Sequence, residues 1–145
     1  MHKNKLIFCA LGLFTPLGLN VFYLKGLKNP WAWLQLFSFF AGILGYKLLA
    51  ASDMSLALGW ILATIGFISL EASWLTTIVY GLRPDDRWDA QFNPNSKRKN
   101  DSGWAVIICV ILSLMIGAGV MMASLAIAFE QHFISQYEAA RKISQ

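Results

Sequence analysis

Four long stretches of the chain lack Asp, Glu, Lys and Arg, or nearly so. The first is 6–24, 19 residues. The second is 29–46, 18 residues, and it resumes after Lys47 as 48–52. The third is 54–82, broken only by Glu71, and the fourth is 102–129, 28 residues. A spanning helix needs about 20 mostly apolar residues, so the pattern predicts four spans. Alternation with a period of two is absent, and Leu, Ala, Ile and Gly dominate, which favours helices over barrel strands. The expected fold is an all-α integral membrane protein with four transmembrane helices.

The connections divide the chain. Residues 25–28 are so few that the first two spans must form a tight hairpin. Residues 1–82 read as a three-span membrane region containing it. Residues 83–102 form a polar loop, 103–130 the fourth transmembrane helix, and 131–145 a polar tail that extends it. Pro16, with Gly12, Gly18 and Asn20 nearby, predicts a kink in the first segment, because a proline inside a helix removes one backbone donor. A re-entrant first segment is the alternative. In the loop, Pro84 followed by Asp85 and Asp86 reads as a helix start, with acids at the positive end of the dipole. Trp88 and Phe92, four apart, would share the apolar face of a short helix lying on the membrane surface.

Composition agrees with a membrane setting. Hydrophobic residues make up 57% and charged residues 14%, against roughly 25% charged in an average soluble domain. Mean hydropathy is +0.52. The net charge of +4 is scattered, with no basic stripe interleaved with aromatics, so nucleic acid is not an expected partner. Lys97, Arg98 and Lys99 read as a juxtamembrane anchor. Cys9 and Cys109 sit in apolar runs and behave as small hydrophobes. The basic start and apolar core resemble a signal peptide, but no small-x-small cleavage site follows, so the segment reads as a retained span.

Four spans would put both termini on one side, with Lys3, Lys5, Lys47, Arg141 and Lys142. The other side would carry Lys25, Lys28, Arg83, Arg87, Lys97, Arg98 and Lys99. The positive-inside rule then places the loop in the cytoplasm and both termini outside, in the periplasm of a bacterium. Tyr23, Trp31, Trp33, Tyr80, Trp88 and Trp104 would form an aromatic belt at one interface, and Tyr46, Phe133 and Tyr137 at the other.

Few residues suggest chemistry. Glu71 lies near mid-membrane, where a carboxylate costs several kcal/mol, on the order of 3, unless protonated, paired or wet. Asn20, Gln35, Ser38 and Thr64 are its candidate partners. His2 and His132 would face one compartment as solvated side chains, and neither suits a transmembrane haem. Asp85, Asp86, Asp89 and Asn93 lack the spacing and turn glycine of an EF-hand. No nucleophile–base pair, Walker motif, GxGxxG or HExxH occurs, so neither an enzyme nor a cofactor is expected. Small residues form two stripes: Gly59, Ala63, Gly66 and Ser73 on the third span, and Ser113, Gly117, Ser124 and Ala128 on the fourth. Such faces favour close helix approach, and the two stripes are expected to pack on each other.

Residues 12–26, with Gly12, Gly18, Phe22, Tyr23, Leu24 and Gly26, resemble the hairpin of the two-transmembrane ("TM-two") domain family. Asn20 and Val21 depart from it, standing where that family usually has His or Asp and then Arg. Residues 79–93 are also similar to a stretch in small proteobacterial members of the group. The resemblance implies a bacterial inner-membrane protein with the turn on the cytoplasmic side, and no catalytic activity. The reading that follows is a non-enzymatic accessory or scaffold subunit of a larger inner-membrane complex. Its partners would be membrane lipids and other integral membrane subunits, with no small-molecule substrate identified. Glu71, Trp88, Phe92, Phe22, Tyr23 and Gly117 are the candidate contacts to partner or lipid. The alternative is a small oligomeric channel or transporter using Glu71.

Overall fold

The computed structural model describes residues 2–143 as six helices with no strand among them. They are α1 (Lys5–Phe14), α2 (Leu19–Lys25), α3 (Pro30–Ala51), α4 (Ala57–Gly81), α5 (Asp85–Phe92) and α6 (Trp104–Ile143). Three of them, α3, α4 and α6, are long and apolar enough to cross a bilayer. At 1.5 Å per residue they run about 33, 37 and 60 Å, against a hydrocarbon core of about 30 Å. This set fits a multi-pass membrane protein. The expected count of four spans is therefore corrected to three. The polar tail continues α6 as far as Ile143, and its last two residues lie outside the described chain.

The first apolar run fails to span because its backbone is broken at mid-depth. Asn4 caps α1 by accepting from the Leu6 N–H at 2.9 Å. At the other end, Thr15 gives both its N–H and its Oγ1 to the Leu11 carbonyl, at 3.0 and 2.6 Å. Pro16 has no N–H to give the Gly12 carbonyl, so the helix stops. Gly18, at φ +80°, takes the left-handed turn that glycine adopts without a Cβ penalty. Helix α2 then returns to the end where α1 began: Asn4 N–H donates to Tyr23 Oη at 2.8 Å, and Lys3 Nζ to the Tyr23 carbonyl at 2.5 Å. The ten residues of α1 cover about 15 Å, half the hydrocarbon core. So α1 and α2 form a helical hairpin whose two limbs, ten and seven residues, are each too short to span. The expected tight turn survives at 26–29, but it joins α2 to α3 rather than two full spans.

Non-helical backbone at membrane depth must have its polar groups satisfied by protein. Helix α4 supplies them. Ser73 Oγ donates to the orphaned Gly12 carbonyl at 3.1 Å, and Trp74 Nε1 to the Leu13 carbonyl at 3.3 Å. Ser69, one turn earlier on α4, donates to the Gln35 carbonyl on α3 at 2.9 Å.

Helices α3 and α4 cross with their backbones almost touching. A Cβ added to Gly42 would lie 2.5 Å from the Gly66 Cα, and one added to Gly45 would lie 2.3 Å from the Ala63 nitrogen. The α4 stripe of Gly59, Ala63 and Gly66 is thus spent on α3, and Ser73 on the hairpin. The expected packing of this stripe against Ser113, Gly117, Ser124 and Ala128 of α6 does not occur. Instead Gly117 sits against Glu71 and Trp74. Helix α6 buries Val106, Cys109, Val110, Ser113 and Gly117 in its first fourteen residues and none after that.

The N-terminus, the end of α2, the loop and the start of α6 gather at one end of the bundle. The α3–α4 turn lies at the other, where Asp53 and Met54 share a cleft with His132 and Glu138 of α6. Hence Lys3 and the end of α6 at Ile143 lie at opposite ends of the bundle, whereas four spans would bring both termini to one side. The basic residues redistribute with them. Lys3, Lys5, Lys25, Lys28, Arg83, Arg87, Lys97, Arg98 and Lys99 belong to the loop end, and only Lys47, Arg141 and Lys142 to the other. In sealed vesicles an impermeant maleimide should label His2→Cys and Arg98→Cys from the same face and Lys142→Cys from the opposite one. Native Cys9 and Cys109 are buried and add no background. Labelling of positions 2 and 142 from one face would restore four spans.

Candidate functional site: the loop-end clasp and the Glu71 seam

Helix α5 starts after Pro84, whose φ of −55° suits a helix entry, and carries Asp85 and Asp86 in its first turn. One turn further, Trp88 is fully buried. Its ring lies edge-on to Phe8 at 5.4 Å and tilted against Phe92 at 4.7 Å, and its Nε1 donates to the Lys3 carbonyl at 3.0 Å. Tyr80 closes the cluster, 5.3 Å from Phe8. The short helix is where the sequence predicts it, but its aromatic face points into the protein. It plugs the end of the bundle above α1 and α4, so Trp88 is corrected from a lipid or partner contact to a core residue.

Two acids organise the clasp. Lys5, 3% exposed, places Nζ 3.0 Å from Asp85 Oδ1, 2.9 Å from Ser102 Oγ and 2.5 Å from the Arg83 carbonyl. Asp85 also accepts from the Ser102 N–H at 2.7 Å and from the Ser102 hydroxyl. All three ammonium donors are used, which a buried cation requires. Asp89 accepts from Asn93 Nδ2 at 2.7 Å and from the Asn100 N–H and Nδ2 at 2.7 and 2.6 Å. Both asparagines then hold the Lys3 carbonyl, at 3.0 and 3.1 Å, and Asn93 Oδ1 accepts the Lys3 N–H at 2.7 Å. Burial alone pushes both carboxyls up. For Asp85 the bonds from Ser102 and Lys5 outweigh it, and for Asp89 those from Asn93 and Asn100, so each lies below the usual aspartate range.

The seam between α4 and α6 holds Glu71. One carboxylate oxygen lies 3.3 Å from the point where a Cβ on Gly117 would stand. The other is buried without a hydrogen-bond partner. None of its four candidate partners reaches it by a hydrogen bond. Gln35 Nε2 donates to the Ser69 carbonyl at 3.3 Å, Thr64 donates to the Trp60 carbonyl at 2.8 Å, and Asn20 lies against Gly12 and Thr77. The Ser38 carbonyl sits at the Gly42–Gly66 crossing.

The other candidate contacts fall in several places. Tyr23 belongs to the clasp. Phe92 packs on Trp88, and Gly117 on Trp74. Phe22 is half-buried and stands edge-on to Trp33 at 5.3 Å. His2 joins the loop end, 3.3 Å from Ser96 Oγ, while His132 lies at the far end, so the structure does not bring the two together. Among the described residues no group of three or more His, Cys, Asp or Glu is arranged to hold a metal. Sequence reasoning missed Lys5, Asn100 and Ser102 as clasp members and Ser73 and Trp74 as hairpin anchors. Only Pro16 hinted at the anchors, since the carbonyl four residues before it has to find another donor.

Two measurements test the clasp. Asp85→Ala leaves Lys5 buried and unpaired, a cost of about 3 kcal/mol, whereas Lys5→Met with Asp85→Leu should cost clearly less. Thermal unfolding in detergent, followed by tryptophan fluorescence, reads both. A double variant as unstable as the single one would mean the ion pair is not the organising contact. As to pH, carboxyls held below their ordinary value contribute stability that is complete above about pH 4 and is lost as pH falls through the folded value. The amide proton shifts of Ser102 and Asn100, which donate to those carboxylates, should therefore titrate with midpoints below 3.8. Midpoints above that would contradict the geometry. Comparison with protein-family models, curated proteins and solved structures finds no match for this chain.

Proposed function

We propose that this chain is a non-enzymatic accessory or scaffold subunit of a larger inner-membrane complex in a bacterium. One observation carries the reading: α6 buries five residues up to Gly117 and none of the 26 described residues from 118 to 143. The hairpin ends near the level of Trp74, which Gly117 touches. Below that level three helices stand where a full first span would have made four, and the second half of α6 buries no residue against the other two. A cleft of about 470 Å³ opens there between α6 and the α3–α4 turn, lined by Trp60, Ala128, Gln131 and Ser135 among others. A helix from another integral membrane subunit completes this half of the bundle.

The charge distribution supports the orientation. With nine of twelve basic residues at the loop end, the positive-inside rule puts the N-terminus and loop in the cytoplasm and the C-terminus in the periplasm. The resemblance of Phe22, Tyr23 and Leu24 to the TM-two turn points the same way.

Extraction in mild detergent followed by native mass spectrometry should find the chain with other subunits at fixed stoichiometry. A photocrosslinker at Met122 should capture one protein of defined mass, whereas one at Phe40, on the exposed face of α3, should not. A lone monomer with no adduct at position 122 would overturn the proposal.

A further inference from the structure

The short hairpin leaves a second opening, on the opposite depth scale from the first. Helix α2 has only seven residues, so it shelters the α3–α4 surface near the loop end and no deeper. The result is a groove of about 590 Å³ between α2, α3 and α4, within the range of pockets that enclose small ligands, about 300–1,000 Å³. Its walls are Leu24, Leu34, Ile65 and Ile68 with their apolar neighbours. Its uncharged polar residues below the mouth include Gln35, Ser38, Ser69 and Thr76; Gln35 Nε2 donates to the Ser69 carbonyl, Ser69 Oγ to the Gln35 carbonyl, and Thr76 Oγ1 to the Ala72 carbonyl of its own helix. The groove therefore favours a hydrocarbon occupant.

Its mouth is different. Lys25, the last residue of α2, lines it and is exposed. Among the described residues no carboxylate lies within 4.0 Å of the Lys25 ammonium. Trp31 and Tyr80 stand at the same level, the start of α3 and the end of α4. From Thr76 to Ile65 the groove descends eleven residues of α4, about 16 Å. That matches the hydrocarbon depth of a single leaflet, about 15 Å. An apolar slot one leaflet deep, with an unpaired cation at its rim, is complementary to a lipid that carries a negative headgroup.

We propose that this groove holds one acyl chain of an anionic phospholipid from the loop-side leaflet, with its phosphate against Lys25. The site is separate from the α6 surface and stands whether or not a partner subunit exists. Full-length protein, delipidated in detergent, is titrated with phosphatidylglycerol and with phosphatidylcholine of the same chains, and bound lipid is counted by native mass spectrometry. One phosphatidylglycerol should bind in preference to phosphatidylcholine. Lys25→Gln should weaken it about five-fold, the effect of one basic residue at a lipid surface, and leave phosphatidylcholine unchanged. Ala72→Trp, which fills the groove from an exposed position on its wall, should remove the first bound lipid of either kind. Size exclusion and thermal unfolding establish that both variants are folded. If Ala72→Trp does not fold, the Lys25→Gln comparison decides alone. Equal binding of the two lipids to the native chain, or no effect of Lys25→Gln, would show a nonspecific lipid annulus and overturn the proposal.

Discussion

Pro16 has no N–H, so the carbonyl of Gly12 loses the donor that an unbroken helix would have supplied. In water that loss costs little, because solvent fills the vacancy. At mid-membrane it is costly, on the order of several kcal/mol for each unsatisfied group. The chain answers with Ser73 at 3.1 Å and, one carbonyl further, Trp74 at 3.3 Å. Those two side chains allow α1 to end at half-depth, and the left-handed Gly18 turns the backbone round. The route of the remaining chain follows. Because α2 returns to its starting side, α3 must begin there, and the three long helices then separate the two chain ends.

The return of the hairpin also explains how a lysine comes to be buried at the end of the bundle. The first turn of α1 is roofed by α5 and by the strand of loop that carries Asn100 and Ser102. Lys5 would be intolerable there alone. It is held by a carboxylate, a hydroxyl and a carbonyl, with all of its donors engaged. Such a buried pair adds little net stability, since desolvation offsets most of the attraction. What it does fix is register: the loop can close on the N-terminus in only one way if Lys5, Asp85 and Ser102 are all to be satisfied.

Much of the architecture was legible in the sequence, and the misreadings share a cause. The runs that became α3, α4 and α6 declare themselves by length and hydropathy. Helix α5 is announced by Pro84, two acids and the Trp88–Phe92 spacing. The first run has 19 uncharged residues and satisfies the same length rule, yet that rule counts side chains and ignores backbone donors. Trp88 was misplaced because an apolar face does not say which apolar medium covers it, lipid or the ring of Phe8. The α4 glycines read as a packing face, but their partners are Gly42 and Gly45 on α3, two residues outside the small-residue stripes of the third and fourth apolar runs. The charge asymmetry was hidden behind the span count: the same twelve basic residues divide seven to five with four spans and nine to three with three.

Helix α4 resolves these pieces into one arrangement. Gly59, Ala63 and Gly66 face α3, Ser69 and Ser73 face the groups that the hairpin and α3 leave open, and Glu71 and Trp74 face α6. A helix committed on three sides can hold neighbours only where they extend alongside it. The hairpin extends for half the membrane, so the bundle has two layers of different completeness. In the loop-side layer α1 and α2 fill the fourth position, and the clasp seals it. In the far layer that position is empty, and α6 loses its buried seam just past the level where Trp74 meets the hairpin tip. The incompleteness is thus a consequence of Pro16 rather than of weak apolarity in α6, whose hydropathy is the highest of the three spans. A sequence with a donor at position 16 could fill both layers with its own first helix. In this one the far layer keeps three helices, α3, α4 and α6.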